Sequence, residues 1–438
     1  MPCPAAAAAR AETAALYTSA TSWASWGAKD RMTLGTRVRL CLKDLYQQDI
    51  VEMIERETRR YALESIEHPD HPDFTRAYQI LWDVFGATGE MEPESAIRQF
   101  LLEDSFEPLP SGTFCRYFLI VAKDRDGNLR GVRDGTVLYN PSWAPDLCTV
   151  YLSHINLLPQ ARGTVLTYWL RIAPVELAVE YLYQLQQRGL VQLPLPDQPG
   201  KNFGVRLNLA AEMEFFSPDD RLSLQRILFY GRGGFDVIDP RHFPYRQPDF
   251  RPPEVIAETG NRPVPFMLLL RRMGRERQAR LPIDEARITI RHLYDEFACF
   301  CTPEFLQNSV DIVQARLEER RAKGKQDVEL LPLPTGPTNL QRLKRLFRYD
   351  NLRRYYADVG GASDYLERIK ALLAGNPRWF DDEVAALGVE LAKTPHYVYS
   401  SRDKGIWAAD MANDMANDMA NDMANDIAND IANEETPK

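Results

Sequence analysis

A turn that carries proline, arginine and glycine joins an apolar segment to a predicted helix within residues 157–171. The first turn of a helix exposes main-chain N–H groups and the positive end of the helix dipole, so anions bind there favourably. Gly163 lets a ligand approach the main chain closely, and Arg162 adds a charged donor for phosphate oxygens. An ordinary strand-to-helix junction has the same composition, so the residues alone leave a phosphate site and a structural turn both open.

Histidines and carboxylates cluster at residues 67–73, Glu-His-Pro-Asp-His-Pro-Asp. These residue types bind metal ions, but a loop with two prolines lacks the ligand geometry of a helix, and no later Cys or His cluster completes a set. We therefore expect no metal site. His154, on a predicted strand, could titrate near neutral pH, although a lone strand histidine is more often a hydrogen-bonded core residue.

The composition is that of a soluble globular protein. The chain of 438 residues has room for two or three domains, and 45% of its residues are apolar and 26% charged. No window approaches the run of about eighteen apolar residues that a membrane span requires. The six cysteines form no CxxC pair, which favours reduced thiols and a cytoplasmic location.

Most of the net charge of −9 comes from a tail of Asp-Met-Ala-Asn repeats that begins at Asp410. The rest of the chain is close to neutral, so its charge neither demands nor excludes a nucleic-acid partner. The basic segment 340–356 could follow a phosphate backbone, but its apolar spacing is more typical of an amphipathic helix. We therefore expect no nucleic-acid partner.

Four segments of the chain differ in pattern. Residues 1–33, rich in Ala, Ser and Thr, predict a disordered leader or a start artefact, and residues 409–438 predict a low-complexity disordered tail. Strands and helices alternate in residues 34–275, whereas residues 276–408 are predicted to be all-helical. The mixed order predicts an α+β fold, layered as in α/β proteins.

Individual elements follow from hydrophobic period and turn residues. Before the boundary near residue 276 we predict helices at 49–66, 74–85, 164–188 (interrupted or restarted at Pro174) and from Ser217, and strands at 113–122, 129–138, 147–158, 204–216, 235–238 and 265–271. After it we predict helices at 283–300, 303–323, 340–357, 362–373 and 381–393, with a linker at 330–337.

This order of hairpin, strand, turn, helix and strand, together with the turn's residues, resembles the GNAT superfamily of acetyl-coenzyme A dependent N-acyltransferases. In that family a V-x-P-x-x-R-G-x-G-x-G/A segment holds the coenzyme's pyrophosphate by its main-chain amides. Leu157 stands at the Val position, and Pro159, Arg162 and Gly163 match. The resemblance covers residues 38–272 and implies a GNAT-like mixed, mostly antiparallel twisted sheet flanked by helices.

The resemblance implies that acetyl-CoA is the acyl donor. The residues that would bind it are Leu157, Leu158, Arg162, Gly163, Thr164, Val165, Leu166 and Thr167. Val165 and Thr167 stand where the family has small residues. A β-branched residue at each of these positions narrows the approach to the main chain, which weakens or removes the cofactor site.

A second motif, Phe229-Tyr-Gly-Arg-Gly-Gly-Phe235, is similar to the family's f-Y-e-r-l-G-F segment. In many members the tyrosine protonates the departing thiolate, which makes Tyr230 the general-acid candidate; a core-capping tyrosine is the alternative. Glu212 and Glu214 lie two residues apart, hence on one strand face, where several members place a base. A solvated pair at a strand end is the alternative for them.

The resemblance therefore implies an enzyme that transfers an acetyl or other acyl group from acetyl-CoA to a primary amine of a small molecule or peptide. The alternative is a GNAT-like domain with weak or no catalysis that serves as a ligand-sensing or protein-interaction scaffold. In either case the helical region after residue 276 could contact a protein partner. The sequence does not name the amine.

Overall fold

The computed structural model describes residues 59–86, 90–162, 164, 166–195, 204–214, 222–240, 242–251, 253–261, 263–276, 278–299, 301, 303–333, 353 and 362–391. The predicted leader, the predicted tail and all but one residue of the basic segment 340–356 lie outside these ranges. Among the described residues, no helix combines the length and apolar character needed to cross a membrane.

The strands form one mixed sheet, in the order β1-β2-β3-β4-β6-β9-β7-β11-β10, with β5 added beside β3 and β8 beside β9. Only the β4–β6 pairing is parallel among the described strands. This is the mixed, mostly antiparallel sheet that the family resemblance implies. The strands are β1 (Tyr61–Ile66), β2 (Phe114–Asp124), β3 (Leu129–Tyr139), β4 (Leu147–Tyr151), β5 (Ile155–Leu157), β6 (Arg206–Glu214), β7 (Asp236–Ile238), β8 (Arg246–Gln247), β9 (Val264–Arg272), β10 (Arg280–Pro282) and β11 (Asp327–Pro332).

Helices cover both faces of the sheet. They are α1 (Phe74–Phe85), α2 (Glu94–Leu102), α3 (Leu166–Gln187), α4 (Leu222–Arg232), α5 (Pro253–Thr259), α6 (Ile283–Phe297), α7 (Pro303–Ala322), α8 (Ala362–Gly375) and α9 (Trp379–Leu391). A short 3-10 helix, Pro159–Ala161, separates β5 from α3.

Alternation of strand side chains sorts the core into two layers. Val137 and Tyr139 of β3 pack into the cluster that includes α3 and α4, whereas Leu138 packs into the cluster of α6 and α7. Further along the sheet, α1 and α2 cover the same side as α6, where Val132 packs against them. We call these sides the α3 face and the α6 face.

Several predicted elements are confirmed. Helix α1 has the predicted bounds, and β2 and β3 form the predicted hairpin. Its turn places Gly127 at φ 81°, a conformation that glycine adopts without steric cost. The predicted strand 147–158 is divided into β4 and β5, and α3 continues through Pro174 as one helix.

The prediction of an all-helical region after residue 276 is wrong. β11 pairs with β7 and β10 pairs with β11, so the sheet continues across the predicted boundary. Helix α6 packs on β3, β4 and β11 and shares their core. The predicted linker 330–337 is accordingly wrong over residues 330–332, because the open edge of β7 supplies hydrogen-bond partners that local sequence does not reveal.

The predicted helix 49–66 is also wrong where the structure describes it. Residues Tyr61–Ile66 form β1, in antiparallel register with β2. Leu63 and Ile66 are its buried side chains, one on each face of the strand. Pairing with a neighbouring strand overrides a local helical pattern of this kind, since strand formation depends mainly on context.

Candidate active site

A crevice opens where the two parallel strands of the sheet diverge. β4 and β6 pair from Leu147 and Arg206 to Tyr151 and Ala210, and the N–H of Leu152 donates to the carbonyl of Ala210 at 2.8 Å. Beyond that point β5 stays on β3, while the rest of β6 stays on β9. The two strand segments 155–157 and 211–214 therefore present facing edges that the described residues leave unpaired.

Main-chain groups of β5 point into this crevice. The N–H of Leu158 donates to Arg130 at 3.0 Å and the carbonyl of His154 accepts from Asp134 at 3.2 Å. Because hydrogen-bonded pairs alternate in an antiparallel ladder, the N–H and carbonyl groups of Ile155 and Leu157 face away from β3. Among the described residues, the N–H of Leu157 and both main-chain groups of Ile155 are left to pair with a ligand between β5 and β6, whereas the carbonyl of Leu157 accepts from Arg162.

Side chains in the turn after β5 form hydrogen bonds with some of the turn's own main-chain groups. Arg162 donates from Nε to the carbonyl of Leu157 at 3.0 Å, and the hydroxyl oxygen of Thr164 lies 3.3 Å from the N–H of Leu166, which caps α3. Thr167 donates its hydroxyl back to the carbonyl of Thr164 at 3.2 Å. Gly163 and Val165, the other predicted members of this segment, lie outside the described residues.

Tyr230 lies at the C-terminal end of α4. Its carbonyl accepts from the N–H of Phe235 at 3.1 Å, and Gly234 adopts φ 82°, which together form a glycine-ended helix cap. The ring of Tyr230 makes edge contacts with Phe229 and Phe235 at 5.3 and 5.4 Å between centroids. The glycine and phenylalanine positions of the second motif thus have a structural function: they fix where the tyrosine lies.

Two arginines that sequence reasoning missed surround Tyr230 on the α3 face. Arg133 of β3 is 1% exposed, and none of its three guanidinium nitrogens has a hydrogen-bond partner among the described residues. Arg171 of α3 stacks on Phe229, 3.3 Å from the ring centroid. Burial raises the pKa of Tyr230 above its usual value, and the charges of Arg133 and Arg171 oppose that rise. The tyrosine therefore stays protonated in a positive field.

A signal for Arg133 is present in the sequence. It precedes Asp134 in the middle of β3, so two charged residues stand side by side in a strand whose last three residues, 137–139, are apolar and buried. Burial lowers the pKa of Arg133 to about 10, so the guanidinium remains charged at neutral pH. A buried cation without a hydrogen-bond partner is costly to a fold, which makes it a candidate functional group.

Glu212 lies on the α6 face of the diverging part of β6. Its carboxylate accepts from Tyr151 at 2.5 Å, from Gln247 at 3.1 Å and from Tyr245. Burial raises its pKa to about 7, and the tyrosine hydrogen bonds limit the rise. A carboxyl group with this pKa exchanges protons readily at neutral pH.

Glu214 has a different environment from Glu212. It is half-buried at the end of β6 and lies 3.4 Å from Arg226 of α4. Its charge acts on Tyr230, whereas the charge of Glu212 acts on Tyr151 and Tyr245 across the sheet. The predicted pair of bases is thus divided, one beside the tyrosine and one on the opposite side of the crevice.

His154 belongs to a buried ion pair. Its Nδ1 lies 3.1 Å from Asp134, and its Nε2 lies 3.0 Å from the carbonyl of Glu90. Burial lowers the pKa of His154, but Asp134 and Glu92 outweigh burial and raise it to about 9. The imidazolium is held by the fold, in agreement with the interpretation as a hydrogen-bonded core histidine.

The His and Asp residues of the 67–73 segment form ion pairs. His71 lies 3.1 Å from Glu64, and these two form with Asp73 a group whose ligand atoms are within 4.8 Å of one another. The ammonium group of Lys123 bridges the two carboxylates, at 2.6 Å from Glu64 and in contact with Asp73. A side-chain cation thus already balances the negative charge.

Comparison with known proteins adds little to this geometry. No family model and no curated protein matches the chain. A solved structure named for phosphinothricin N-acetyltransferase activity is similar at 15% identity and a TM-score of 0.25, over 49% of this chain and 98% of its own. A protein from Klebsiella pneumoniae subsp. pneumoniae named as an acyl-CoA N-acyltransferase is similar at 14% identity and a TM-score of 0.20, over 49% and 97%. At such TM-scores these likenesses do not define the function.

Proposed function

We propose that the chain transfers an acyl group, most simply acetyl, from coenzyme A to a primary amine. The observation that carries this proposal is the crevice between β5 and β6, with Tyr230 in a positive field on the α3 face and Glu212 on the α6 face. A thioester in the crevice would meet an acid from one side and a base from the other. Direct transfer between two bound substrates requires both groups.

The acyl transfer proceeds by attack of the neutral amine on the thioester carbonyl carbon. Glu212, as carboxylate, accepts the proton that the amine gives up when the new C–N bond forms. The C–S bond then breaks, and Tyr230 donates its hydroxyl proton to the departing thiolate. Arg133 stabilises the negative charge that develops beside Tyr230, an effect that is strong in a water-excluded site.

The coenzyme would lie along β5 and the start of α3. The N–H of Leu157 is the group best placed to pair with the pantetheine arm, because the N–H of Leu158 donates to Arg130 and the carbonyl of Leu157 accepts from Arg162. The remaining main-chain donors of the first turn of α3 would hold the pyrophosphate. The proposal includes acetyl-CoA as the particular donor and the predicted residues 162–167 as the residues that bind it.

Mass spectrometry of acetylated products from a panel of amines, polyamines, aminoglycosides and peptides tests the proposal. We expect one class to be acetylated, with kcat/KM rising as pH passes through about 7, where Glu212 loses its proton. Glu212→Gln should remove that rise, and Glu254→Gln on α5 is the control. Absence of any acetylated amine, or the same pH profile in Glu212→Gln, would contradict the mechanism.

A non-catalytic scaffold is the second candidate, and one observation favours it. Arg162 donates to the carbonyl of Leu157, and the N–H of Leu166 donates to the hydroxyl of Thr164. Two groups that were predicted to contact the phosphate therefore already have partners within the turn. A domain of this kind would lack affinity for the coenzyme. A ligand at a hundredfold excess over its Kd raises the unfolding free energy by about 2.7 kcal/mol, so a thermal shift with acetyl-CoA separates the two candidates.

A further inference from the structure

A cavity on the α6 face is not used by the proposed acyl transfer. It has a volume of about 120 Å³ and lies between β2, β3, α2 and α6. Glu67 and Glu103 are exposed at its mouth, and Glu296 of α6 is buried in its wall. The cavity therefore leads from an acidic rim to a buried carboxyl group.

Glu296 has an unused hydrogen-bonding atom in this cavity. The residue is 7% exposed, and its Oε1 accepts from the hydroxyl of Thr136 at 2.5 Å. Its Oε2 has no hydrogen-bond partner among the described residues. A buried carboxyl oxygen without a hydrogen-bond partner is costly to the fold, so a donor supplied by a ligand would be stabilised there.

The walls of the cavity favour a cationic ligand. Phe100 and Tyr117 stack at 5.6 Å between ring centroids, and aromatic faces attract ammonium groups. Arg116, the one basic residue of the lining, is paired with Glu67 at 3.1 Å. The two other carboxyl groups of the lining remain to meet a ligand's positive charge.

We propose that this cavity binds the ammonium group of a primary alkylamine, with Oε2 of Glu296 as its buried acceptor. A volume of about 120 Å³ has room for about four water-sized groups, which matches n-propylammonium. The site does not depend on the proposed acyl transfer, because neither its residues nor its test involves the coenzyme.

Binding of an ammonium group is expected to be coupled to the titration of Glu296. Burial raises the pKa of Glu296 well above its usual value, and nearby carboxylates raise it further. The empty site therefore keeps its proton to higher pH than an exposed glutamate does, and a bound ammonium group favours the ionised form. The titratable groups that act on Glu296 from the neighbouring elements are Glu92, Asp134 and Glu212. Those that line the cavity with it are Glu67, Glu103, Cys115, Arg116 and Tyr117.

Isothermal titration calorimetry of the full chain with n-propylammonium chloride and with propan-1-ol tests the proposal at constant ionic strength. We expect the ammonium salt to bind and the alcohol not to bind, with proton release on binding of the ammonium salt, read from two buffers of different ionisation enthalpy. Equal binding of the two compounds, or no binding of n-propylammonium at millimolar concentration, would overturn it.

Variants locate the binding. Glu296→Gln should weaken the affinity for n-propylammonium at least tenfold and abolish proton release, while Glu319→Gln, an exposed change on α7, should alter neither. Unchanged affinity in a folded Glu296→Gln variant would place the ligand elsewhere and defeat the proposal. If Glu296→Gln does not fold, the comparison of n-propylammonium with propan-1-ol in the unmodified chain still tests whether the site binds an ammonium group.

Discussion

At the scale of single residues, the candidate chemistry depends on where each proton and charge lies. Tyr230 stays protonated because it is buried, and Arg133 stays charged although nothing among the described residues hydrogen-bonds to it. Glu212 lies across the crevice with a pKa of about 7. Acid and base therefore hold the opposite protonation states that amine acylation needs above pH 7.

Removal of one hydroxyl tests the role of Tyr230. Tyr230→Phe should lower kcat by about 100-fold, because general-acid assistance is worth roughly 10²–10⁴. The thermal shift with acetyl-CoA should stay the same, since the ring contacts with Phe229 and Phe235 remain. Tyr245→Phe removes a buried tyrosine hydroxyl on the other face of the sheet and is the matched control for the thermal shift. Equal loss of turnover and of the thermal shift would exclude Tyr230 as the acid.

Arg133→Met should separate stability from function. Replacement of a buried, unpartnered guanidinium by an apolar side chain should raise the unfolding free energy by about 1–3 kcal/mol. It should also lower kcat/KM about tenfold, because the charge beside Tyr230 is lost. Urea unfolding and steady-state kinetics measure the two effects. The control is Arg130→Met, on the same strand but paired with Asp124, which should change stability and kcat/KM only slightly. A destabilised but fully active Arg133→Met would refute the role of Arg133 beside Tyr230.

At the scale of elements, the helices and strands with strong local sequence patterns could be predicted. The β2–β3 hairpin has a turn that needs Gly127, and α1 has a clear helical period that ends at Gly86. β1 and β11 were missed because their partners are distant in sequence. Pro174 did not end α3, because that helix is buried along most of its length and packing outweighs one lost hydrogen bond.

The end of α4 provides a prediction at this scale. Gly234→Ala forces a side chain into φ 82° and should cost about 1–2 kcal/mol of unfolding free energy, measured by thermal denaturation. Gly324→Ala, at φ 76° with open space around it, should cost a similar amount. Only the Gly234 change should lower turnover, because it displaces the cap that positions Tyr230. Full activity in a destabilised Gly234→Ala would show that the cap does not position the tyrosine.

At the scale of the whole molecule, the sheet separates two chemical environments. The α3 face carries the arginines around Tyr230, and the α6 face carries the buried carboxyl groups of Asp134 and Glu296 and the partly exposed Glu212. The sequence motifs predicted Tyr230 and the turn before α3. They could not predict Arg133 or the partners of Glu212, because those groups come together only when distant strands pair.

The buried ion pair of His154 and Asp134 makes stability depend on pH. The pKa of His154 is about 9 in the folded chain and 6.5 in the unfolded chain, so the folded state binds more protons between these values. The stabilisation, about 3 kcal/mol, is complete below pH 6.5 and is lost as pH rises through 9. Urea unfolding at several pH values measures it. Asp134→Asn should flatten the curve over this range, and an unchanged slope would contradict the assignment.

Amide hydrogen exchange with and without acetyl-CoA tests the central claim, that a coenzyme lies between β5 and β6. Unpaired main-chain groups of the two diverging strands should become protected when the pantetheine arm pairs with them. We predict slower exchange in peptides that cover residues 155–158 and 211–214, and no change in α5. Unchanged exchange in both strands at saturating acetyl-CoA, or protection confined to other parts of the chain, would contradict the account.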